Sequence, residues 1–473
     1  MRKTIMAVCV HAVLFIGLIA WFGYDRNIAP PVETASESPT PSPDSKFTGE
    51  LEQNAVLRVL ENDTAIKQGY FAELIDAFNA KYARHNIKAV DANMDQYLDL
   101  ANDGPYGYGP DVLYQANDMV MKYVDGHHIQ PLPIEQLDCF SQIDSQAWRA
   151  YDADGEYYGV PVNVQAPMLY YRKDLLPDNW ETEWDDDKNG IPDMVENWTD
   201  LYKFSLQRRD GGSFGYMKAL YDVYFASGYL FSYGGYVFGD NGTDAADIGF
   251  AAGDAYRGAN VIKQLAGVMN EDCIDTTINN TQYAKIASGE YFCTLVTPDV
   301  YTMFINEMSL AGVPSENLVV ASVPMLPASG DLTDRNSEPI PCKMMGGVNG
   351  YAVSSYTKYP NAALAFVDFA TQYEMIMKRQ EKLGIVPARA DAASESGGMA
   401  VLINKTLAGG NLVIMPSIRQ VAQIWTPMET LFSDIAKDAF RPAAQQKYLT
   451  PDDFEQALSK ASRQVYDAIW TLN

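Results

Sequence analysis

The chain has 473 residues, of which 61 are acidic and 35 are Lys or Arg, and its formal net charge is -26. A chain of this length exceeds one ordinary hydrophobic core and predicts two or three packed units, or one protein with two intertwined lobes. The negative charge repels nucleic acids and anionic lipid surfaces, so it excludes nucleic-acid binding and favours a soluble, monomeric body.

The N-terminal segment predicts export. Arg2 and Lys3 precede a nearly uninterrupted apolar run over residues 5–24, which is about as long as a membrane-crossing helix. The basic residues predict a cytoplasmic N-terminus and an external body. Because no small-residue cleavage site follows, an uncleaved anchor over residues 1–24 is favoured over a signal peptide. Residues 25–50 are rich in Pro and Ser and predict a disordered or semi-extended tether.

Strands and helices alternate after this tether. Residues 55–60 predict a first strand, and residues 69–82 predict a helix with one buried face, because their apolar side chains recur at helical spacing. Further strands are predicted at 87–90 and 109–115. The alternation predicts an α/β fold with a parallel, doubly wound sheet that carries helices on both faces.

Residues 158–177 are the most informative stretch of the chain. Val160, Val162 and Val164 alternate with their neighbours, and the apolar run over residues 168–171 ends at a Lys-Asp corner. This pattern predicts a buried strand followed by a polar turn. If that strand crosses between two lobes, a ligand cleft lies beside it.

An acidic segment that follows matches a calcium-binding loop. Oxygen donors occupy loop positions 1, 3, 5, 9 and 12, and Gly190 at position 6 permits the sharp turn. The predicted ligands of a structural Ca²⁺ are Asp185, Asp187, Asn189, the Ile191 carbonyl, Asp193 and Glu196. The alternative is a solvated acidic loop. No strong helical pattern precedes the loop, so a full helix–loop–helix sensor is not expected.

The second half of the chain resumes the alternation. Residues 255–269 predict a helix and residues 290–297 predict an apolar strand. Further strands are predicted at 317–325 and 349–354, and another helix follows Pro360. The remainder is predicted to be mostly helical.

Cysteine usage leaves the redox state open. Cys9 lies in the apolar N-terminal run, and the body contains Cys139, Cys273, Cys293 and Cys342. Export permits disulfides, and four thiols allow three pairings among which the sequence does not choose. Buried free thiols are the alternative, and the spacing does not match a zinc site.

Taken together, these motifs resemble the family of extracellular sugar-binding proteins of ABC importers, which includes the maltose/maltodextrin-binding proteins. The motifs that match in order are Gly69-Tyr70, Gly109-Pro-Asp-Val-Leu-Tyr with Asp118 beyond it, residues 158–177, Tyr224-Phe225 followed by Gly234-Gly235-Tyr236, Ala287-Ser-Gly-Glu-Tyr leading to Pro298, and Ile414-Met-Pro416 leading to Trp425. The resemblance implies two α/β lobes that are discontinuous in sequence, joined by crossing segments, with a sugar in the cleft between them.

The resemblance also implies lobe boundaries. It assigns residues 51–163 and 328–384 to an N-terminal lobe, and residues 164–327 and 385–473 to a C-terminal lobe. The acidic segment then belongs to an insertion over residues 178–197, where the family usually passes directly from strand to helix. A calcium ion there would hold the insertion and would not touch the ligand.

Candidate ligand contacts follow from the resemblance. A neutral sugar needs flat aromatic faces and planar polar groups. Asp118 matches a carboxylate that binds sugar hydroxyls from the N-terminal lobe, and Tyr224 and Trp425 match aromatic cleft positions. Tyr301 lies near a third such position, and Gln165 stands where the family often has an acid. The alternatives are capping or loop roles for the aspartate and lobe packing for the aromatic rings.

Three departures from the maltose-binding pattern bear on specificity. Gln115 and Asp299 stand where that pattern has tryptophans, and Met119 stands where it has an arginine. Loss of two stacking faces and one charge puts maltose itself in doubt. The ligand class is better supported than the individual ligand, because changed side chains on one scaffold alter the pocket.

Catalysis is not expected. The string Gly211-Gly-Ser213-Phe-Gly215 matches a nucleophile elbow, but a predicted helix precedes it where the elbow requires a strand, so a glycine-rich turn is favoured. A glycosidase needs two carboxylates that flank a cleft, and nothing in the sequence singles out such a pair.

The sequence therefore predicts a receptor that captures an oligosaccharide of maltodextrin type outside the cell. It would deliver this ligand by hinge closure to the permease subunits of an ABC importer, while its N-terminal helix holds it at the membrane. The alternatives are a receptor of the same fold that serves a sensor system and, with less support, an extracellular glycoside hydrolase.

Overall fold

A computed structural model describes residues 47–93, 99–271 and 278–471. The predicted anchor at 1–24, most of the predicted tether and Cys273 lie outside these residues. Within the described ranges, no helix combines the length and apolar character that crossing a membrane requires.

Two β-sheets organise the described residues. In chain order their strands are β1 (Val56–Leu60), β2 (Lys88–Asp91), β3 (Val112–Ala116), β4 (Val160–Gln165), β5 (Met168–Arg172), β6 (Phe214–Met217), β7 (Tyr291–Val296), β8 (Leu318–Ala321), β9 (Met344–Val353), β10 (Val386–Pro387) and β11 (Leu412–Ile414). The first sheet has the order β10-β4-β9-β3-β1-β2, and β11 pairs with β9. The second sheet has the order β8-β5-β7-β6. We call the parts built on these sheets the first lobe and the second lobe.

Helices connect and cover the strands. In chain order they are α1 (Asp63–Lys67), α2 (Tyr70–Lys81), α3 (Leu100–Asp103), α4 (Asn117–Met121), α5 (Ser145–Arg149), α6 (Trp180–Glu183), α7 (Asp193–Glu196), α8 (Trp198–Asp210), α9 (Val223–Ser232), α10 (Ala255–Ala266), α11 (Ile278–Ala287), α12 (Tyr301–Leu310), α13 (Pro360–Ala370), α14 (Tyr373–Leu383), α15 (Ala390–Glu395), α16 (Gly398–Ala408), α17 (Trp425–Asp438) and α18 (Pro451–Thr471).

Helix α2 illustrates how the sequence pattern becomes packing. Gly69 precedes it with φ of 76°, a left-handed conformation that glycine adopts without a Cβ clash. Tyr70, Phe71, Leu74 and Phe78 are buried along one face. The predicted helix over residues 69–82 is therefore confirmed, and its apolar face packs on the first sheet.

The first sheet is mixed, so the predicted parallel sheet is only partly correct. Strand β1 runs parallel to β2 and β3, as the alternation of strands and helices predicts. Strand β9 runs antiparallel to both β3 and β4. The reason is that the chain leaves the first sheet after β4, builds most of the second lobe, and returns in the opposite direction.

The chain crosses between the sheets within the predicted stretch 158–177. Strand β4 ends at Gln165 in the first sheet, and β5 begins at Met168 in the second. Ala166 and Pro167 lie between them, and a proline lacks the N–H that would continue a ladder. The predicted buried crossing is confirmed, as two strands with a break at this dipeptide.

A buried ion pair lies in the core of the first lobe. The Arg379 guanidinium donates from two nitrogens to the two Glu61 oxygens, each at 2.9 Å, and both side chains are fully buried. Tyr351 donates its hydroxyl to Glu61 at 2.6 Å and accepts from Arg379 at 3.0 Å. The Tyr114 ring centroid lies 4.0 Å from the guanidinium carbon. Burial opposes the charge on Arg379, but the Glu61 carboxylate outweighs it and raises the pKa of Arg379 well above its usual value.

The structure bears on two questions that the sequence left open: the state of the cysteines and the role of the Gly211 to Gly215 string. Cys139, Cys293 and Cys342 are buried free thiols. The Gly211 to Gly215 string begins directly after α8 and its last two residues open β6, so a helix precedes Ser213 and a strand follows it. That order is the reverse of a nucleophile elbow, and the predicted glycine-rich turn is confirmed.

Candidate functional site

A buried amide joins three segments of the first lobe. Asn117, at the start of α4, donates to the Met415 carbonyl at 3.2 Å and to the Ser417 hydroxyl at 3.3 Å. Its Oδ1 accepts from the Val348 N–H at 3.3 Å. Asn117 thus joins α4, β9 and the segment after β11, and it fixes the position of its neighbour Asp118.

Gln115 and Asp118 lie at the C-terminal end of β3 and just beyond it. Both are half-buried. The Gln115 carbonyl accepts from the Tyr151 hydroxyl at 3.1 Å. Burial raises the pKa of Asp118, and backbone N–H groups of Asp118 and Met119 offset this only in part. The predicted carboxylate of the first lobe is therefore poorly solvated.

Tyr224 and Gln165 connect the two lobes. Tyr224 lies on α9, which follows β6 of the second sheet, and its hydroxyl donates to the Gln165 carbonyl at 3.2 Å. Gln165 is the last residue of β4 and pairs with Gly347 of β9. A Cβ on Gly347 would lie 3.8 Å from the Tyr224 hydroxyl, so this side of β9 faces the ring. The structure brings these two predicted residues together.

Asp222 is a further candidate that the sequence reasoning missed. It caps α9 by accepting from the Tyr224 N–H at 3.1 Å. Burial raises the pKa of Asp222, and the Lys218 charge opposes that shift. An aspartate before a helix has a sufficient explanation as an N-cap, which is why sequence alone did not single it out.

Lys218 is the basic group near Asp222. It is almost fully buried at the end of β6, and its ammonium lies 3.3 Å from the Phe225 ring centroid. Burial lowers the pKa of Lys218 to about 8, and the Asp222 charge opposes that shift.

Asp299 and Tyr301 lie after β7. The Asp299 Oδ1 atom is buried and has no hydrogen-bond partner among the described residues. Burial raises the pKa of Asp299, and the Thr297 hydroxyl opposes this. Tyr301 begins α12, and its ring centroid is 6.2 Å from that of Tyr170. The Asp299 charge adds to the raised pKa of Tyr170 and of Tyr224, for which burial is the main cause.

Tyr301 also lines a cavity of about 270 Å³. Its lining comes from α12, α14, α16 and the segments between them: Tyr301, Thr302, Gln380, Glu381, Gly384, Ile385, Ser396, Met399 and Ala400. This volume is just below the usual range of small-molecule pockets, about 300–1,000 Å³. Of the predicted contacts, Tyr301 lines it.

Trp425 lies on a helix that carries none of the other candidate contacts. It is the first residue of α17, half-buried against the hydrophobic core. No hydrogen bond joins it to the carboxylates in the part of the chain that the structure describes. Its role as an aromatic cleft contact stays a prediction.

The acidic segment after β5 forms a closed loop. The Asp185 carboxylate accepts from the N–H groups of Asn189 at 3.0 Å and Gly190 at 3.1 Å, and Gly190 has φ of 80°. The Asn189 amide nitrogen donates to Asp187 and to both Glu196 oxygens, each at 3.1 Å. Loop positions 1, 3, 5 and 12 are therefore brought together, with the Asn189 side chain between the acids.

Asp193, Glu196 and Ile191 are the other predicted ligands in this loop, and a short helix precedes it. Burial raises the pKa of Asp193 and of Glu196, and neighbouring acidic charges add to both shifts. Ile191 is partly exposed and donates its N–H to the Asn189 Oδ1 at 2.7 Å. Within the described residues, no three His, Cys, Asp or Glu side chains are already grouped as a metal site. The preceding helix α6 has only four residues, as expected from the absent helical pattern.

Comparisons with known proteins agree with this architecture. Residues 73–402 match the family model for the bacterial extracellular solute-binding protein. The maltodextrin-binding protein MdxE of Bacillus subtilis is 26% identical over 382 residues, which are 77% of this chain and 83% of MdxE. A galactooligosaccharide-binding protein of the same organism is 24% identical over 379 residues, covering 76% of this chain and 81% of that protein.

Solved structures share the fold. MalX from Streptococcus pneumoniae, in complex with maltopentaose, superposes with a TM-score of 0.68 at 21% identity and covers 88% of this chain and 100% of its own. The maltose-binding protein MalE from Listeria monocytogenes, in complex with maltose, gives 0.66 at 22% identity, with 88% and 98% covered. Both likenesses support the two-lobed fold.

Proposed function

The chain belongs to the family of bacterial extracellular solute-binding proteins, and from this membership we propose that it captures an oligosaccharide outside the cell for an ABC importer. The relatives named above are described as binding maltodextrins and galactooligosaccharides. Maltodextrins are therefore the first ligands to test. The observation that carries the proposal is the Tyr224 to Gln165 hydrogen bond, which places an aromatic ring and a carbonyl of different lobes side by side at the crossing.

The proposed mechanism is closure of the two lobes around the ligand. A sugar that touches Asp118 and Gln165 of the first lobe, and Tyr224 and Asp299 of the second, gains its full contacts only when the lobes are together. The closed form would then dock on the permease subunits. Micromolar capture corresponds to about 8 kcal/mol of net binding free energy, which a stacked ring and several hydrogen bonds can provide.

We propose that the bound sugar leaves unchanged. The candidate contacts hold a ligand by aromatic, amide and carboxylate groups, and the serine of the glycine-rich string lies in a turn between a helix and a strand. The relatives' names describe binding, not hydrolysis.

The family is extracellular, and we propose that residues 1–24 of this chain also hold it at the membrane. The support is the apolar run behind Arg2 and Lys3, together with the Pro- and Ser-rich segment that follows. A tether of this composition keeps a receptor near its transporter while leaving the lobes free to move.

The loop at residues 185–196 supports a proposal of one structural calcium ion. Its backbone already turns at Gly190, and side-chain oxygens of Asp185, Asp187 and Glu196 are held together through Asn189. Carboxylate, amide and carbonyl oxygens are the donors that Ca²⁺ prefers, and the repulsion among these acids is what a divalent cation relieves. Bound there, calcium would fix the segment between β5 and α8.

Thermal unfolding of the body from residue 47 onward tests the proposed function. Ligands that bind only the folded state raise the unfolding midpoint. The panel contains maltose, longer maltodextrins, galactooligosaccharides and unrelated oligosaccharides, and mass spectrometry follows each sugar. We expect one oligosaccharide class to raise the midpoint and to remain intact.

The outcomes separate the alternatives. Cleavage of a bound sugar would make the protein a hydrolase and overturn the proposal. No shift with any oligosaccharide would also overturn it, while leaving the family and the fold in place.

A further inference from the structure

The cavity of about 270 Å³ has walls from both lobes. Helix α14 precedes β10 of the first sheet, whereas α12 follows β7 of the second sheet. Gly384 lines the cavity just after α14, and a Cβ on it would lie 3.7 Å from the Pro298 carbonyl oxygen and 3.9 Å from the Tyr301 Cβ. The end of α14 and the start of α12 therefore meet at Gly384.

Contacts outside the cavity hold its walls in place. Met399 of α16 accepts a hydrogen bond from the Tyr170 hydroxyl of β5, with 3.6 Å between oxygen and sulfur. The Tyr170 ring centroid lies 6.2 Å from that of Tyr301 on α12. On the first-lobe side, the Gln380 amide of α14 donates to the Ser396 carbonyl at 3.3 Å. The cavity is thus already formed, as is usual for small-molecule sites.

Thr302 brings an unpaired polar group to this cavity. It is the second residue of α12 and lines the cavity, and its hydroxyl is buried without a hydrogen-bond partner among the described residues. Buried side-chain hydroxyls in folded proteins are in large majority hydrogen-bonded, because an unpaired one has lost its hydration and gained nothing. A hydroxylated molecule in the cavity can supply the partner that Thr302 lacks.

The lining favours one class of ligand. Tyr301 and Met399 offer apolar surface, while Thr302 and Gln380 offer hydrogen-bonding groups. A neutral sugar presents both features, since its faces are apolar and its edges carry hydroxyls. Glu381 adds a carboxylate, and no Lys, Arg or His lines the cavity in the ranges that the structure describes, so an anion would be buried without a partner. The small volume suits one sugar ring better than a chain of them.

We propose that this cavity is a second binding site, which takes one neutral hexose with a sugar hydroxyl bonded to Thr302 and an apolar face against Tyr301. The site is separate from the contact between Tyr224 and Gln165, because neither residue lines the cavity. A hexose held there touches α14 of the first lobe and α12 of the second. This inference goes beyond oligosaccharide capture, and either proposal can fail without the other.

Isothermal titration of the full chain, in a detergent without sugar groups, tests this. The neutral probes are glucose and galactose, and the matched acids are glucuronate and galacturonate. We expect one molecule of at least one neutral hexose to bind per chain. Its matched acid should bind at least about 10-fold more weakly, because a carboxylate buried without a cation loses its hydration.

Thr302→Val makes the test specific to this site. It removes the hydroxyl and keeps the shape, so hexose affinity should fall by about 2- to 10-fold, the range of one neutral hydrogen bond. Without hexose, the variant should be as stable as the unchanged protein or more stable, because its hydroxyl has no partner to lose. The control Thr430→Val removes an exposed hydroxyl that bonds the Thr426 carbonyl of its own helix, and it should leave hexose affinity unchanged.

Ala400→Leu is a second variant, which fills the cavity. Ala400 is buried in its lining, so a larger side chain there should abolish hexose binding. Thermal unfolding verifies that this variant is folded. If it does not fold, Thr302→Val still carries the test.

Three outcomes would overturn the inference. Neither hexose might bind, or hexose affinity might be unchanged in folded Thr302→Val or Ala400→Leu protein, which would place the sugar elsewhere. A matched acid that binds as tightly as its neutral hexose would make the assigned ligand class wrong. None of these results involves an oligosaccharide, so the proposed function is tested separately.

Discussion

Two groups of acids in this protein differ in whether a basic side chain forms an ion pair with them. In the core of the first lobe, Glu61 meets Arg379 through two hydrogen bonds of 2.9 Å. Asp118 and Asp299 form no ion pair among the described residues. The Lys218 charge acts on Asp222 and opposes the effect of burial on its pKa. Both groups lie beside tyrosine rings.

The difference distinguishes architecture from function. A paired buried charge fixes the arrangement of the elements that carry it, and here Glu61 follows β1 while Arg379 lies on α14. An unpaired buried charge weakens the ligand-free protein, so its presence is best explained by something that binds there. This contrast can be tested by removing the basic partner of Glu61, and by adding a cation to the acidic loop at residues 185–196.

The largest expected effect is in the paired group. Arg379→Met would leave the Glu61 carboxylate buried and unpaired, and breaking a buried ion pair in this way destabilises a protein by about 3–5 kcal/mol. Urea unfolding measures it. The control Lys67→Met removes a pair whose two side chains are 67% and 84% exposed, and its effect should stay below about 1 kcal/mol. Equal effects in the two variants would contradict the contrast.

The acidic loop at residues 185–196 is a third group, to which a cation can be added. If Ca²⁺ binds there, calcium at 100 times its dissociation constant raises the unfolding free energy by about 2.7 kcal/mol, and EDTA reverses the gain. Thermal unfolding with and without calcium measures this. Glu196→Gln and Asp185→Asn should abolish the gain, whereas Asp467→Asn should retain it. A calcium response that persists in both loop variants would place the ion elsewhere.

A smaller effect is expected from the hydroxyl that joins the lobes. Tyr224→Phe keeps the ring and removes the hydrogen bond to the Gln165 carbonyl, a bond of the kind that contributes about 0.5–1.5 kcal/mol. We expect the affinity for a bound oligosaccharide to fall by about 2- to 10-fold, as measured by titration calorimetry. Tyr373→Phe loses a hydroxyl bond to Glu395 on the surface and should leave the affinity unchanged. Equal losses would show that the Tyr224 bond is not part of the site.

The remaining effects concern pH, and their signs are opposite in paired and unpaired acids. Burial opposes the charge on Asp438, but hydrogen bonds from Arg441 and Lys263 outweigh it and lower the pKa of Asp438 to about 2. Its stabilisation is therefore present above the unfolded pKa near 3.9 and is lost as the pH falls towards 2. Burial raises the pKa of Asp299, so its destabilisation is present at neutral pH and is relieved as the pH falls through the folded value.

The free energy of unfolding of two variants, measured over a range of pH, gives the sign of each effect. Relative to the unchanged protein, Asp438→Asn should be less stable at neutral pH, and Asp299→Asn should be as stable or more stable. Both differences should vanish in strong acid. A neutral-pH loss of stability in Asp299→Asn would mean that its carboxylate has a partner that the contrast leaves out.

How far the sequence predicts these groups depends on how local they are. The loop is contiguous, so its spacing around Gly190 was recognisable in the sequence, and the crossing strand was recognisable from the alternation before Gln165. Glu61 and Arg379 are 318 residues apart, and neither stands in a motif that points to the other.

The candidate ligand contacts lie between these extremes. Asp118, Tyr224 and Asp299 could be proposed because a family resemblance placed them, not because of their immediate neighbours. Asp222 was not singled out because helix capping already explains an aspartate at that position. The direction of β9 was also missed, since the alternation of strands and helices does not reveal that a chain returns from another lobe.

That returning strand has a consequence for how the protein is made. Strand β9 separates β3 from β4 in the first sheet and pairs with both. The ribosome completes β4 long before it reaches β9, and at about 5–20 residues per second the interval is on the order of ten seconds or more. During that time the largest sheet lacks its central strand and cannot close. The topology itself therefore postpones completion of the first lobe until β9 has been synthesised.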